Sequence, residues 1–168
     1  MKFTGRNKAM RSSSIVAACT FVILCGCRTV PTAPEPVPAD LMSAPTSLAL
    51  AGRVLTLETG LFRDFMPLAP PDGRPLIALF RVKTDDGSPV PATLRADAVW
   101  VIHDGLIWSG VPREERPLAE TLPAYEVVAR EGPKWGPGVT VDTVVRLRDA
   151  NGRSFLLRAT NQLIRRTD

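Results

Sequence analysis

The chain has 168 residues, with 21 Lys and Arg against 17 Asp and Glu, one His, three Cys and 16 Pro. Lys2, Arg6, Lys8 and Arg11 precede position 27 and no acid does, so the rest of the chain balances 17 basic residues against 17 acidic ones. Bulk charge therefore excludes reading the folded part as a nucleic-acid binder, and the length allows one domain of ordinary size.

The first segment in chain order reads as a leader. Met1–Arg11 carries the positive charges, Ser12–Ser14 is polar, and Ile15–Leu24 (IVAACTFVIL) is apolar throughout. A positive start followed by about 7–15 apolar residues is the pattern of a secretory signal peptide, and the run falls short of the about 20 residues of a membrane-spanning helix. Leu24-Cys25-Gly26-Cys27 comes next. This resembles the lipobox of bacterial lipoproteins, the leucine–x–small–cysteine motif read by lipoprotein signal peptidase. The resemblance implies that residues 1–26 are removed and that Cys27 is lipid-modified and opens the mature chain. Cys25 is the rival acceptor, but bulky Leu24 precedes it where the motif wants a small residue, whereas Gly26 precedes Cys27. Lipoproteins of this type carry more than one acyl chain, and several chains hold a protein to a membrane firmly. The location implied is the cell envelope. Arg28 stands where enteric-type sorting reads an Asp as a signal for inner-membrane retention, which leans the expectation towards the outer membrane, facing the periplasm. Cys19 and Cys25 would leave with the leader and Cys27 would be acylated, so no thiol remains for a disulfide, a nucleophile or a metal site.

Residues 27–47 carry Pro31, Pro34, Pro36, Pro38 and Pro45 with small residues between. Such spacing favours extended polyproline II structure and predicts a disordered, proline-rich linker of roughly 60 Å at full extension.

Residues 48–168 are expected to form the domain. Prolines cluster in Pro67–Pro75, Pro89–Pro91 and Pro112–Pro137, and the windows between them alternate with period two. The strands expected are Leu48–Glu58 with a bulge at Gly52, Leu76–Thr84, Leu94–His103, Leu106–Ser109, Tyr125–Arg130, Val139–Arg148 and Ser154–Ile164. Asp104-Gly105 between two apolar runs is a type I′ hairpin signal. On the third window Leu94, Ala96, Ala98, Trp100 and Ile102 share one face. One or two helical turns are placed within Arg113–Leu122. About seven strands with hairpin turns and no helical crossover predict an all-β domain, an antiparallel immunoglobulin-like or fibronectin-III-like β-sandwich, with a small β-barrel as the alternative.

Catalytic patterns are sparse. His103 is followed by Asp104, but strand neighbours point to opposite faces and Asp104 is needed by the turn, so a hairpin-shoulder histidine is expected. Neither a serine-hydrolase elbow nor a phosphate loop occurs, no second histidine can build a two-His zinc site, and Asp85-Asp86-Gly87 and Asp149-Ala150-Asn151-Gly152 read as turns. Two segments remain as candidate recognition surfaces. Leu61–Gly73, taken as a long connection, carries Arg63, Asp64, Phe65 and Met66, and Glu131–Gly138 displays Trp135 among glycines and prolines. The reading favoured for Phe65 and Trp135 over recognition is that both fold back to plug the ends of the domain. The expectation is a lipid-anchored envelope lipoprotein with a non-catalytic binding module and no cofactor. Its partners would be the membrane, through the lipid at Cys27, and an envelope protein or glycan. The alternatives are a carbohydrate-binding module, needing Trp135 coplanar with a second aromatic, or a hydrolase, needing several of His103, Asp104, Asp85 and Asp149 in one cleft.

Overall fold

The computed structural model describes residues 1–2, 35–115 and 123–168. The lipobox with Cys27, the first part of the expected linker and residues 116–122 lie outside these. The chain divides into two units, Met1–Thr32 and Ala33–Asp168, and the second holds every helix and strand of the described residues.

The domain is all-β, as its alternating windows predict. One helix, α1 (Pro38–Ser43), precedes strands β1 (Ser47–Leu50), β2 (Arg53–Asp64), β3 (Leu76–Thr84), β4 (Arg95–His103), β5 (Leu106–Gly110), β6 (Arg113–Glu114), β7 (Tyr125–Gly132), β8 (Thr140–Arg148) and β9 (Ser154–Thr167). They form a single sheet in the order β5-β4-β8-β9-β2-β3-β7-β6, with β1 paired to β2. The sheet curls. β5 pairs with β4 at one end of the order, and β6, which follows β5 closely in the chain, pairs with β7 at the other. Gly110 sits where those ends meet; a side chain there would come within 2.7 Å of the Trp108 ring and 3.1 Å of Ala129.

Several expectations change in detail. The window Leu48–Glu58 is two strands, because Ala51 and Gly52 both take positive φ (51° and 74°) and make a two-residue hairpin in place of the expected bulge. The pairing is not purely antiparallel. The C-terminal part of β9 runs parallel to β2, Leu61 opposite Ile164 through Asp64 opposite Thr167, after its first part has paired antiparallel with β8. The switch follows a bulge at Thr160-Asn161, where Asn161 takes φ 56°. On β4 a bulge at Asp97 splits the expected single face in two. Leu94, Val99 and Val101 enter the core with Leu55, Phe80, Val82, Val127, Val145 and Leu157, whereas Trp100 and Ile102 turn outward.

That outward apolar stripe explains α1. Leu41, 1 % exposed, and Ala44 cover Trp100, Ile102 and Val144. The helix starts on Pro38, with the Asp40 carboxylate accepting from the Val37 amide at 3.1 Å. Arg158 holds its far end, its amide donating to the Pro45 carbonyl at 2.8 Å and its guanidinium to that of Met42. A six-residue helix is unstable alone, so burial of Leu41 orders it. The second half of the expected linker is thus folded onto the domain. Residues 113–114, inside the expected short helix, are strand β6.

Candidate functional site

The four residues singled out as recognition candidates, Arg63, Asp64, Phe65 and Trp135, collect at one end of the curled sheet. This end is built from the C-terminal end of β2, the 65–75 connection, the 133–138 loop, the β4–β5 turn and the start of β8. Arg63 is not in a loop; β2 runs on to Asp64 and turns its side chain inward, leaving it 3 % exposed. Its guanidinium donates to the backbone carbonyls of Arg74 (3.0 Å), Lys134 (3.1 Å), Gly136 (2.6 Å) and Asp72. One planar fork thereby ties both loops to the strand, a geometry a lysine cannot match.

Asp64 accepts from the Met66 amide at 2.8 Å and pairs with Arg74 at 3.3 Å, which closes the turn out of β2. Phe65 is half-buried, with the Arg63 and Arg166 guanidiniums 5.1 and 4.2 Å from its ring centroid. Its ring occupies the space a side chain at Gly73 would need, 2.5 Å from the position of such a Cβ, and Gly73 also has φ 74°. Lys134 reaches the Asp72 carboxylate at 2.6 Å, and that hydrogen bond holds Asp72 below the usual carboxylate range. Trp135 is half-buried against the core, its ring 5.6 Å from that of His103 and tilted by 49°. Trp108 packs on the core and Trp100 lies under α1.

Beside this cluster a hollow of about 390 Å³ opens between α1, the β4–β5 hairpin and the bulged start of the β8–β9 pair. Pro38, Met42, Ile102 and Ile107 give it apolar walls, and His103, Asp104, Asp142 and Asn161 give it polar ones. Nδ1 of His103 lies 3.2 Å from the Thr140 carbonyl, an acceptor only, so Nδ1 is the donor and in the neutral ring Nε2 presents its lone pair. Asp104 takes φ 47° in the type I′ turn, and this swings its carboxylate to 3.6 Å from Nε2, although strand alternation predicts divergence. Asp142 accepts from the Asn161 amide at 2.9 Å and pairs with Arg158 at 2.6 Å. Sequence reasoning misses Asp142 and Asn161. The one available signal is an acid interrupting the apolar window Val139–Leu147.

The other acids do not join this hollow. Asp149 closes the β8–β9 turn, accepting from the amides of Asn151 (2.9 Å) and Arg153 (3.0 Å), and Asp85 sits in the turn after β3. Asp97 fills the β4 bulge between Arg146 (2.6 Å) and Arg148. Burial works to raise its pKa, but the two guanidiniums outweigh it and hold the carboxyl below its ordinary range. At the opposite end of the sheet the Tyr125 hydroxyl accepts from the Ala96 amide and donates to Glu114, each at 2.9 Å. Burial is the main cause that pushes its pKa up to about 12. Among the described residues no group of three His, Cys, Asp or Glu side chains is placed to hold a metal ion. Comparison of the chain with family models, curated proteins and solved structures gave no match.

Proposed function

We propose that this protein is a lipid-anchored envelope protein whose all-β domain is a non-catalytic binding module. The observation that carries the reading is the order basic segment, apolar run Ile15–Leu24, then Leu24-Cys25-Gly26-Cys27. Cys27 is the residue acylated, and the outer membrane facing the periplasm is the location favoured. Support for a module over a hydrolase comes from the acids, since Asp85 and Asp149 serve separate turns and Asp97 is held between two arginines. Within the all-β class, the immunoglobulin- or fibronectin-III-like sandwich and the small barrel are the two finer readings. Residues 106–114, which pair with both ends of the sheet order, favour the barrel. Cys27→Ser tests the anchor: the variant is expected in the soluble fraction, and unchanged membrane fractionation would refute it.

A further inference from the structure

The hollow between α1 and the β4–β5 hairpin holds an unmatched pair of acceptors. With its Nδ1 proton on the Thr140 carbonyl, the His103 ring in its neutral form offers only a lone pair at Nε2. Facing it at 3.6 Å is the Asp104 carboxylate, also an acceptor, 87 % exposed and with no other charged partner within reach among the described residues. In that form the two acceptors stand side by side, placed to share one donor. Asp142, the second acid of the hollow, is already neutralised by Arg158 at 2.6 Å, so the uncompensated charge is that of Asp104. The walls add a second requirement. Met42 is 45 % exposed, Ile107 38 % and the adjoining Leu106 58 %, and these apolar surfaces gather around a polar floor. A volume of about 390 Å³ lies within the range of about 300–1,000 Å³ of ligand sites, which combine apolar walls with a few convergent polar groups.

We propose that this hollow binds an aliphatic ammonium group. Its N–H groups donate to Nε2 of His103 and to the Asp104 carboxylate, and its hydrocarbon part lies on Met42 and Ile107. The inference rests on the reading of the domain as a binding module and names the chemistry that module recognises. A lysine side chain of a partner protein and a free amine share this chemistry. Because Met42 belongs to α1, the end of the tether forms one wall of the site, and occupancy stabilises the docked helix by linkage.

The chain contains one histidine, so its ring resonances report on the hollow without interference. Full chain labelled at histidine, in a zwitterionic detergent, is titrated with n-butylammonium chloride, with n-butanol, with matched potassium chloride, and with the peptide acetyl-Leu-Lys-Leu-amide. A saturable shift with the ammonium and none with butanol or salt is expected. Asp104→Asn, which keeps a residue suited to positive φ, should weaken binding about fivefold, the worth of one exposed charge pair in water. Tighter binding of the lysyl peptide assigns the source to a protein segment, and equal or tighter binding of butylammonium assigns it to a free amine; both support the site. No saturable shift, an equal shift from butanol, or an unweakened Asp104→Asn overturns the proposal. A partner crosslinked from the envelope together with no amine binding would defeat this site and leave the binding-module reading standing.

Discussion

Arg63→Ala is the perturbation whose consequence the geometry defines most sharply. The variant removes the donor shared by four backbone carbonyls in two loops. Hydrogen bonds to a charged group contribute about 1.5–3 kcal/mol each. Asp72, Arg74 and Lys134 are exposed residues, so water can replace the donor at their carbonyls, whereas Gly136 is half-buried. About one bond then goes unreplaced, a loss of about 1.5–3 kcal/mol. Release of the guanidinium from burial acts in the opposite direction and brings the expected loss to the lower end, about 1.5 kcal/mol.

For a domain of this size that loss lowers Tm by about 5–7 °C. Far-UV circular dichroism melts measure it, and faster proteolytic cleavage within residues 65–75 should accompany it. Arg63→Lys retains the charge and loses the planar fork, so its Tm should fall between the two. A recognition residue would behave differently, costing binding while leaving Tm in place. A drop below about 3 °C for Arg63→Ala, or full rescue by lysine, would refute the role of Arg63 as the pin between the loops.

The protein has one tyrosine, so absorbance titration reads Tyr125 alone, and its ionisation midpoint should lie at about 12 in the folded state. Because that value is raised above the ordinary 10.0, the associated stability is complete below about pH 10 and is lost as pH rises towards 12; a midpoint near 10 without unfolding would contradict the burial of the hydroxyl. Leu41→Asp should undock α1, red-shift Trp100 fluorescence and open residues 37–46 to protease while β-sheet dichroism persists. Unchanged fluorescence would mean that Leu41 does not seal that face.

How much of this fold the residues announce depends on what each signal measures. Period-two alternation and the Asp104-Gly105 turn are local properties, and β3 emerges with the bounds read from its window, Leu76–Thr84. What alternation cannot register is a residue that steps out of the pleat. Asp97 breaks the period of β4 because Arg146 and Arg148 from β8 demand its carboxylate, and those arginines lie far along the chain. The break sends Trp100 outward, and only then does a proline-flanked segment that reads as linker acquire a surface on which Leu41 can be buried. The parallel end of β9 is hidden for the same reason, since its partner in β2 is still more distant in sequence.

The site follows the same logic. Arg63 beside Phe65 reads as an exposed recognition pair as long as Leu61–Gly73 is taken for a loop. Once β2 extends through Asp64, alternation buries Arg63, and a buried guanidinium must find acceptors. The carbonyls of two glycine- and proline-rich loops supply them. His103 shows the converse. Its neighbour Asp104 reads as a turn residue pointing away, yet the positive φ that the turn imposes is what returns the carboxylate to the ring. Residues that look functional by type serve here as fasteners. The pair left with unmatched hydrogen-bonding capacity, His103 and Asp104, is the one that turn geometry brings together, and that makes it the better place to look for a ligand.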